Sequence, residues 1–377
     1  MAVTVADVQR LAEAKLDEKA RTYIAIGAGQ EQTVMDNTRA FRRIRFRPRI
    51  LVGVETIETS TTLLGDAVTL PVGFSPSATH KMANPVGEVG TAQAAQDAGT
   101  VMILSCLSSV MLEEVRARAP GCLLWQQVYL FSERCLTESL VKRAAAQGCK
   151  AIVVTADAPV DGDKVSRHEY PHNMPSGIST ANLDAAFAYH RPGCTASGEH
   201  SRELSAMYSA TFEEIEWLRS ISGLPIVVKG VLRAEDALKA YRHGAAAVIV
   251  SNHGGRQLDG TPATIDVLPE IVDAVGDKME VYLDSGVRSG ADVVKALALG
   301  ARAVFVGRPV LWGLAYGGKD GVQRILQILR DEVEHTMRLL GCPDIKDLRD
   351  GFVFHENQWP RPLWTTPGHR HNGVPPS

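Results

Sequence analysis

Pro225-Ile226-Val227-Val228-Lys229, a helix-patterned stretch from Ala234 to His243, Ala246-Ala247-Val248-Ile249-Val250 and then Ser251-Asn252-His253-Gly254-Gly255-Arg256-Gln257-Leu258-Asp259 follow one another in close succession. Two short β-branched runs separated by a helix-length spacer read as a β-α-β unit. The runs are apolar almost throughout rather than alternating, which marks strands covered on both faces and therefore parallel.

The unit repeats in both directions along the chain. Runs at Leu70 to Phe74, Val101 to Leu104, Leu123 to Tyr129, Ala151 to Thr155, Glu280 to Leu283 and Ala303 to Val306 bring the number of strands to eight. Helical patterns fall between them at Glu88 to Ala98, Leu136 to Gln147, Ile265 to Val275 and Gly290 to Leu299. Eight is the number at which such a sheet closes, so the expected fold is α/β, a (β/α)8 TIM barrel. One domain covers residues 1–377, with the barrel core at about 70–342.

Three regions fall outside that repeat. Residues 1–69 carry an amphipathic helix, the Gly27-Ala28-Gly29 turn and the basic run Arg42-Arg43-Ile44-Arg45-Phe46-Arg47-Pro48-Arg49, and are expected to close the bottom of the barrel. The basic run alternates charge with apolar residues, as a half-buried extended segment does. From about 160 to 210 the chain is rich in Gly, Pro, His and Ser, the composition of a long lid-like loop after the fourth strand. The tail 353–377, with Trp359-Pro360-Arg361-Pro362 and His369-Arg370-His371, has no helical or strand period, and its two histidines read as part of a loose terminus rather than a metal site.

Composition excludes several function classes. A net charge of −3 and a pI near 6.4 give no footprint for nucleic acid. No apolar run is long enough to span a membrane, and the charged N-terminus lacks the apolar centre of a signal peptide. Six scattered cysteines without a CxxC pair suit free thiols in a reducing compartment. The expected location is intracellular, cytoplasmic, the final Pro375-Pro376-Ser377 not being a Ser-Lys-Leu peroxisomal address.

Barrels of this kind do their chemistry where each strand meets the loop to the next helix. Polar residues stand at all eight such points: Ser75 and Ser77, Ser105, Gln127 and Tyr129, Thr155 and Asp157, Lys229, Ser251 and His253, Asp284 and Arg288, and Arg308. His253 can take a proton and Arg256 can grip a carboxylate, which describes a site for an acidic substrate. Arg288 and Arg308, with Gly286 and Gly307 allowing close backbone approach, read as a phosphate site on the seventh and eighth loops. Lys229 ends a buried strand and needs a partner there; a Schiff base and a countercharge to a cofactor are both open.

Ser251 to Asp259, Val228-Lys229-Gly230, Asp284-Ser285-Gly286-Val287-Arg288, Gly307-Arg308-Pro309 and Phe46-Arg47-Pro48-Arg49 resemble the FMN-dependent α-hydroxy acid oxidases and dehydrogenases, the group of glycolate oxidase, long-chain hydroxyacid oxidase and hydroxymandelate oxidase. The resemblance runs from about Val5 to Cys342. It implies FMN as cofactor and oxidation of an (S)-2-hydroxy acid to the 2-oxo acid, with hydride passing to flavin N5 and dioxygen becoming hydrogen peroxide. In that reading His253 is the general base and Asp157 orients it. Arg256 holds the substrate carboxylate with help from the hydroxyls of Tyr23 and Tyr129, Tyr129 being counted with the catalytic set. Ser105, Gln127, Thr155 and Ser251 serve the isoalloxazine or ribityl groups, and Pro76, Ser77 and Ala78 lie against the ring. Lys229 faces the N1 and O2 edge, which disfavours the Schiff base. Asp284, Gly286, Arg288, Gly307 and Arg308 take the ribityl and phosphate end.

Two departures from the family pattern stand out. Lys164 occupies the place of a second carboxylate-binding arginine, keeping the charge and losing the bidentate fork, with Arg167 as a possible substitute. Leu107 stands where glycolate oxidases carry a tryptophan, which implies a pocket for a medium, large or aromatic side chain. The resemblance also implies a homotetramer, and Ala78 leans toward an oxidase. Alternatives in the same frame are a flavin monooxygenase that decarboxylates its hydroxy acid, and an FMN-binding protein that has lost or altered turnover.

Overall fold

A computed structural model of the chain describes residues 2–164, 178–190, 210–348 and 351–358. Helices α1 (Val5–Glu13), α2 (Glu18–Ala25) and α3 (Gln32–Arg39) precede strand β1 (Ile44–Phe46) and a hairpin of β2 (Thr61–Leu63) and β3 (Asp66–Val68). Eight strands follow: β4 (Val72–Phe74), β5 (Val101–Leu104), β6 (Leu123–Val128), β7 (Ile152–Thr155), β8 (Ile226–Val231), β9 (Ala247–Val250), β10 (Glu280–Leu283) and β11 (Ala303–Val306). Neighbours pair in parallel, and β11 closes on β4 to complete the barrel. Each strand expected from the sequence is present, with no end moved by more than two residues.

The unbroken apolar runs have the expected cause. Ile103, Trp125, Val153, Val227, Ile249, Tyr282 and Phe305 point into the barrel and form one buried cluster. Their chain neighbours, such as Leu104, Leu124, Val154, Val228, Val250 and Leu283, point outward into a second cluster under the helices. Strand alternation therefore divides each run between two cores, so both faces of these strands are mainly apolar. Inside, Trp125 lies 5.8 Å from both Tyr282 and Phe305, so three large rings fill the centre.

The hairpin closes the amino-terminal end of this core: Leu63 and Val68 join the inner cluster, and Glu280 accepts from the Leu64 N–H. The segment from 23 to 37 goes to the other end, which corrects the expectation that all of residues 1–69 seal the bottom. The Ala28 N–H donates to Gly255 O at 2.8 Å. Asn37 and Asn252 exchange amide hydrogen bonds of 2.8 and 2.7 Å. Asp259 accepts from the N–H groups of Gln30, Gln32 and Thr33, satisfying the start of α3, whose own N-cap, Glu31, makes no side-chain cap.

Two further expectations change. The tail is not irregular from its first residue, because Val353–His355 forms strand β12, antiparallel to β1. That pairing also explains the basic run: Ile44 is buried while Arg45 is exposed and reaches Glu356. The stretch taken as a continuous loop after β7 contains the helix Ala181–His190, which buries Leu183 and Phe187. Arg143 clamps its start by donating to Asn182 O while gripping Glu113 with two hydrogen bonds. Arg167, Trp359, His369 and His371 lie outside the described residues. Among the described residues no helix is long and apolar enough to cross a membrane, and no cluster of metal-ligating side chains occurs.

Candidate active site

One two-residue step up each strand from the inner apolar layer reaches Ser75, Ser105, Gln127, Thr155, Lys229, Ser251, Asp284 and Gly307. The apolar layer ends there and a polar ring begins, at the carboxyl end of the barrel. Hydrogen bonds join the ring into two arcs. In the first, Ser105 Oγ donates to Gln127 Oε1 at 3.4 Å and Gln127 Nε2 to Thr155 Oγ1 at 3.0 Å. In the second, Lys229 Nζ donates to Ser251 Oγ at 3.0 Å and lies 3.6 Å from Asp284 Oδ2, which also accepts from Ser75 Oγ. Lys229 is only 3% exposed, so its charge is carried by these two partners.

Above the ring stands the pair that can move a proton. His253 Nδ1 is 2.9 Å from Asp157 Oδ1. Its backbone sits at φ 59° and its N–H donates to Ser251 Oγ, while Gly254 and Gly255 continue at φ 65° and 75°. Three left-handed residues in a row turn the chain sharply, and the strained one is the histidine that the turn aims at Asp157. Asp157 Oδ2 is buried with no hydrogen-bond partner among the described residues. Gly255 is required for a second reason: a Cβ would lie 2.7 Å from Val34 N.

Burial pushes the His253 imidazole below its ordinary range; Asp157 opposes this, and Lys229 and Arg256 add to it. For Asp157, burial alone would raise the carboxyl, but the charges of His253 and Lys229 outweigh it and hold it below the usual value. The pair therefore rests at neutral pH as carboxylate and neutral imidazole. With Nδ1–H donating to Asp157, Nε2 presents its lone pair as the proton acceptor. A rate that needs this base is expected to fall about tenfold per pH unit on an acid limb lying below 6.5, measured as kcat/KM against pH. Linkage has the same sign: the unfolded chain takes this proton more readily, so acid below 6.5 also favours unfolding.

Arg256 lies over the Tyr23 ring at 5.0 Å and donates through NH1 to the carbonyls of Tyr23 and Ile26. Burial, with Cys106, Asp157, Tyr23 and Asp161 nearby, raises the Tyr129 hydroxyl well above its usual range, so it remains a hydrogen-bond donor. Leu107 is half-buried, its N–H held by Ser105 Oγ and its carbonyl by the Thr79 N–H. Lys164 is 6% exposed, on the segment that leads from Asp157. Pro76, Ser77 and Ala78 are half-buried beside the ring.

A cationic pole lies next to Arg256, which shares the Ile26 carbonyl with Arg308. Burial lowers Arg288 to about 10 against the opposing charge of Asp292, and burial together with the charges of Arg256 and Arg288 lowers Arg308 to about 9, so Arg308 stands among cations. Arg288 stacks on Trp312 at 5.1 Å. The Arg308 side chain has a task the sequence did not reveal: it donates to the carbonyls of Ile24, Ala25, Ile26 and Gly254, clamping α2 to the His253 loop. What position 308 can offer an anion is the helix N-terminus itself, since Arg308–Leu340 starts after Gly307 with no side-chain cap. The N–H groups of Arg288, Ser289 and Gly290 are already taken by Asp292 and Glu332. Gly286 has a packing role as well, described below.

Sequence patterning missed several residues that build the site. Asn252, Gln257 and Asp259 were quoted only as parts of a motif, and Glu88 only as the start of a helical pattern. Glu88 is fully buried and accepts from the N–H groups of His80 and Ser109 and from Ser109 Oγ, binding the loop of Ser77 to the loop of Leu107. A lone Glu in a helical segment gives no signal of this; its burial is the signal.

Comparison with known proteins decides the family. The sequence profile described as FMN-dependent dehydrogenase matches residues 12–355. The chain belongs to this family. Similar members include L-lactate oxidase from Nostoc sp., 44% identical over 93% of this chain and 98% of that one. Another is 2-hydroxyacid oxidase 1 from Mus musculus, 43% identical over 91% and 94%. Among solved structures, mandelate oxidase with (S)-4-hydroxymandelic acid superposes with a TM-score of 0.86 at 40% identity, covering 94% and 98% of the two chains.

FMN is the cofactor of the family, and the residues present fit it. The polar ring offers fixed donors and acceptors to the edge of a flat heterocycle, with Lys229 as a buried cation beneath. Gly307 faces Ser75 and Ser77 across the loops of β4 and β11, where a Cβ would stand in ordinary contact, 3.6 Å from Ser77 Oγ. Arg288 and the uncapped helix at Gly307 supply the cationic pole that a phosphate needs.

Proposed function

We propose that this FMN-dependent 2-hydroxy-acid oxidase acts on (S)-2-hydroxy acids with a medium, large or aromatic side chain, His253 being the base. The observation that carries the reading is the His253–Asp157 contact of 2.9 Å beside Arg256 and above the Lys229 ring. Arg256 and Lys164 would hold the substrate carboxylate, with Tyr23 and Tyr129 donating from their hydroxyls. His253 Nε2 would take the hydroxyl proton, and Asp157 would stabilise the imidazolium that results. Bound FMN would supply the two-electron acceptor for the hydride leaving the α-carbon, with dioxygen as the final acceptor and hydrogen peroxide as the product. Lys229 would keep negative charge stable at the ring it faces. Ser105, Gln127, Thr155, Ser251, Asp284 and the Pro76 to Ala78 segment would contact the cofactor, with Arg288, Gly286, Gly307 and Arg308 at its phosphate end.

The substrate preference rests on Leu107, a branched aliphatic chain where a tryptophan would fill the pocket. The names of L-lactate oxidase, 2-hydroxyacid oxidase 1 and mandelate oxidase span small to aromatic side chains. A panel of 2-hydroxy acids, followed by oxygen uptake and product analysis, tests the proposal. The expected products are a 2-oxo acid and free hydrogen peroxide. A carboxylic acid one carbon shorter would assign a decarboxylating monooxygenase, and flavin that no panel member bleaches would assign a binding protein.

Lys164→Arg is expected to lower the apparent KM for small hydroxy acids several-fold, because a guanidinium restores two parallel hydrogen bonds to a carboxylate. An unchanged KM would remove Lys164 from the substrate site. The family resemblance supports a homotetramer, for which light scattering on the purified protein is the test. The scattered cysteines, five of them free thiols among the described residues, support an intracellular location.

A further inference from the structure

We propose that Gln257 is the positioning residue that registers the segment 157–164 against the His253 loop, setting both the Asp157–His253 contact and the place of Lys164. This rests on the roles just given to His253 and Asp157 and extends them to a residue outside the reacting centre.

The segment from Asp157 to Lys164 is neither helix nor strand, so its course depends on what its backbone is tied to. Gln257 Nε2 donates to Asp157 O at 3.1 Å and to Val160 O at 2.9 Å. Its Oε1 accepts from the Gly162 N–H at 3.1 Å. One carboxamide thus uses both N–H groups and its oxygen on three points of six consecutive residues. The segment also lies flush against the backbone of the same loop: a Cβ at Gly162 would stand 2.2 Å from Arg256 O and 2.8 Å from Gln257 Cα. Beyond that contact Asp163 O accepts from the Gly29 N–H at 2.8 Å, on the turn whose Ala28 N–H is bonded to Gly255. His253, Arg256 and Gln257 share one loop. The loop would therefore carry base and carboxylate-binding arginine directly, and would place Asp157 and Lys164 through Gln257.

Two variants of the FMN-loaded enzyme approach this contact from opposite sides. Gln257→Met keeps the length and removes all three hydrogen bonds; Gly162→Ala pushes the segment off the loop. Both are expected to retain FMN and to lose about tenfold or more in kcat/KM, since sub-ångström errors in such contacts are costly. The groups facing His253 are Asp157, Lys229 and Arg256. When Asp157 moves away, the two cations remain, so the acid limb of kcat/KM should shift to lower pH in both variants. In Gln257→Met, amide exchange at Gly162 should accelerate. A lower rate with an unmoved acid limb would leave Gln257 a merely structural role and overturn the proposal, as would wild-type kinetics or wild-type exchange at Gly162. Exchange is read without turnover, so it decides the tethering even if the proposed activity fails.

Discussion

His253→Ala should bind FMN and remain yellow, yet be bleached by its hydroxy acid about a thousandfold more slowly than the wild type, the middle of the range for removing a general base. The side chain's hydrogen bond goes to Asp157, and the backbone N–H to Ser251 Oγ survives the substitution. The polar ring beneath, from Ser105 through Gln127 to Thr155 and from Lys229 to Asp284, does not involve the imidazole. Alanine at φ 59° costs about 1 kcal/mol, too little to unfold a domain of this size. Anaerobic mixing with substrate reads the bleaching, and the absorbance of the purified protein reads the cofactor. Colourless protein would make His253 a structural residue of the cofactor site, and undiminished bleaching would move the base elsewhere.

Gly286→Ala should remove about 3 kcal/mol or more of stability and most of the bound FMN, with denaturant titration and flavin release as the measurements. Position 286 has φ 91°, and a Cβ there would sit 2.1 Å from Asn37 O and 2.6 Å from Asn37 C. Both clashing atoms are backbone, so no side chain can swing aside. α3 cannot retreat easily either, because Asn37 is paired with Asn252 and the first turn is held by Asp259. Gly53→Ala is the control, since nothing lies within 4 Å of a Cβ there. Equal stability of the two variants would contradict the close packing of α3 on the strand-seven loop.

Much of the site was legible because it is built on strand ends. In a parallel barrel the inward positions alternate, so once Trp125, Val227 and Ile249 are read as interior, Gln127, Lys229 and Ser251 follow two residues later on the same face. The residues brought together by that rule were all named from the chain. His253, Asp157 and Arg256 were named from residue type and family motif, and the structure places the first two in contact.

What escaped reading was the second use of the same motif. Asn252, Gly255, Arg256, Gln257 and Asp259 hold the Tyr23 to Asn37 segment and the segment after β7 as firmly as they face the site. Arg308 is an instance in which residue type pointed to a phosphate and gave no sign that the side chain also binds four backbone carbonyls. An arginine that binds an anion and one that ties down carbonyls look alike in a sequence.

The chain by itself determined the eight strands, their inward and outward faces, the polar ring and the chemistry expected of His253, because these follow from local periodicity and from residues a few positions apart. Only the tertiary structure decided that residues 23–37 cover the carboxyl end of the barrel, that Val353–His355 completes a sheet with Ile44–Phe46, and that Gln257 tethers the segment leading to Lys164. Those contacts join groups tens to hundreds of residues apart. Their formation depends on where the closed barrel brings its loops, which no local pattern encodes.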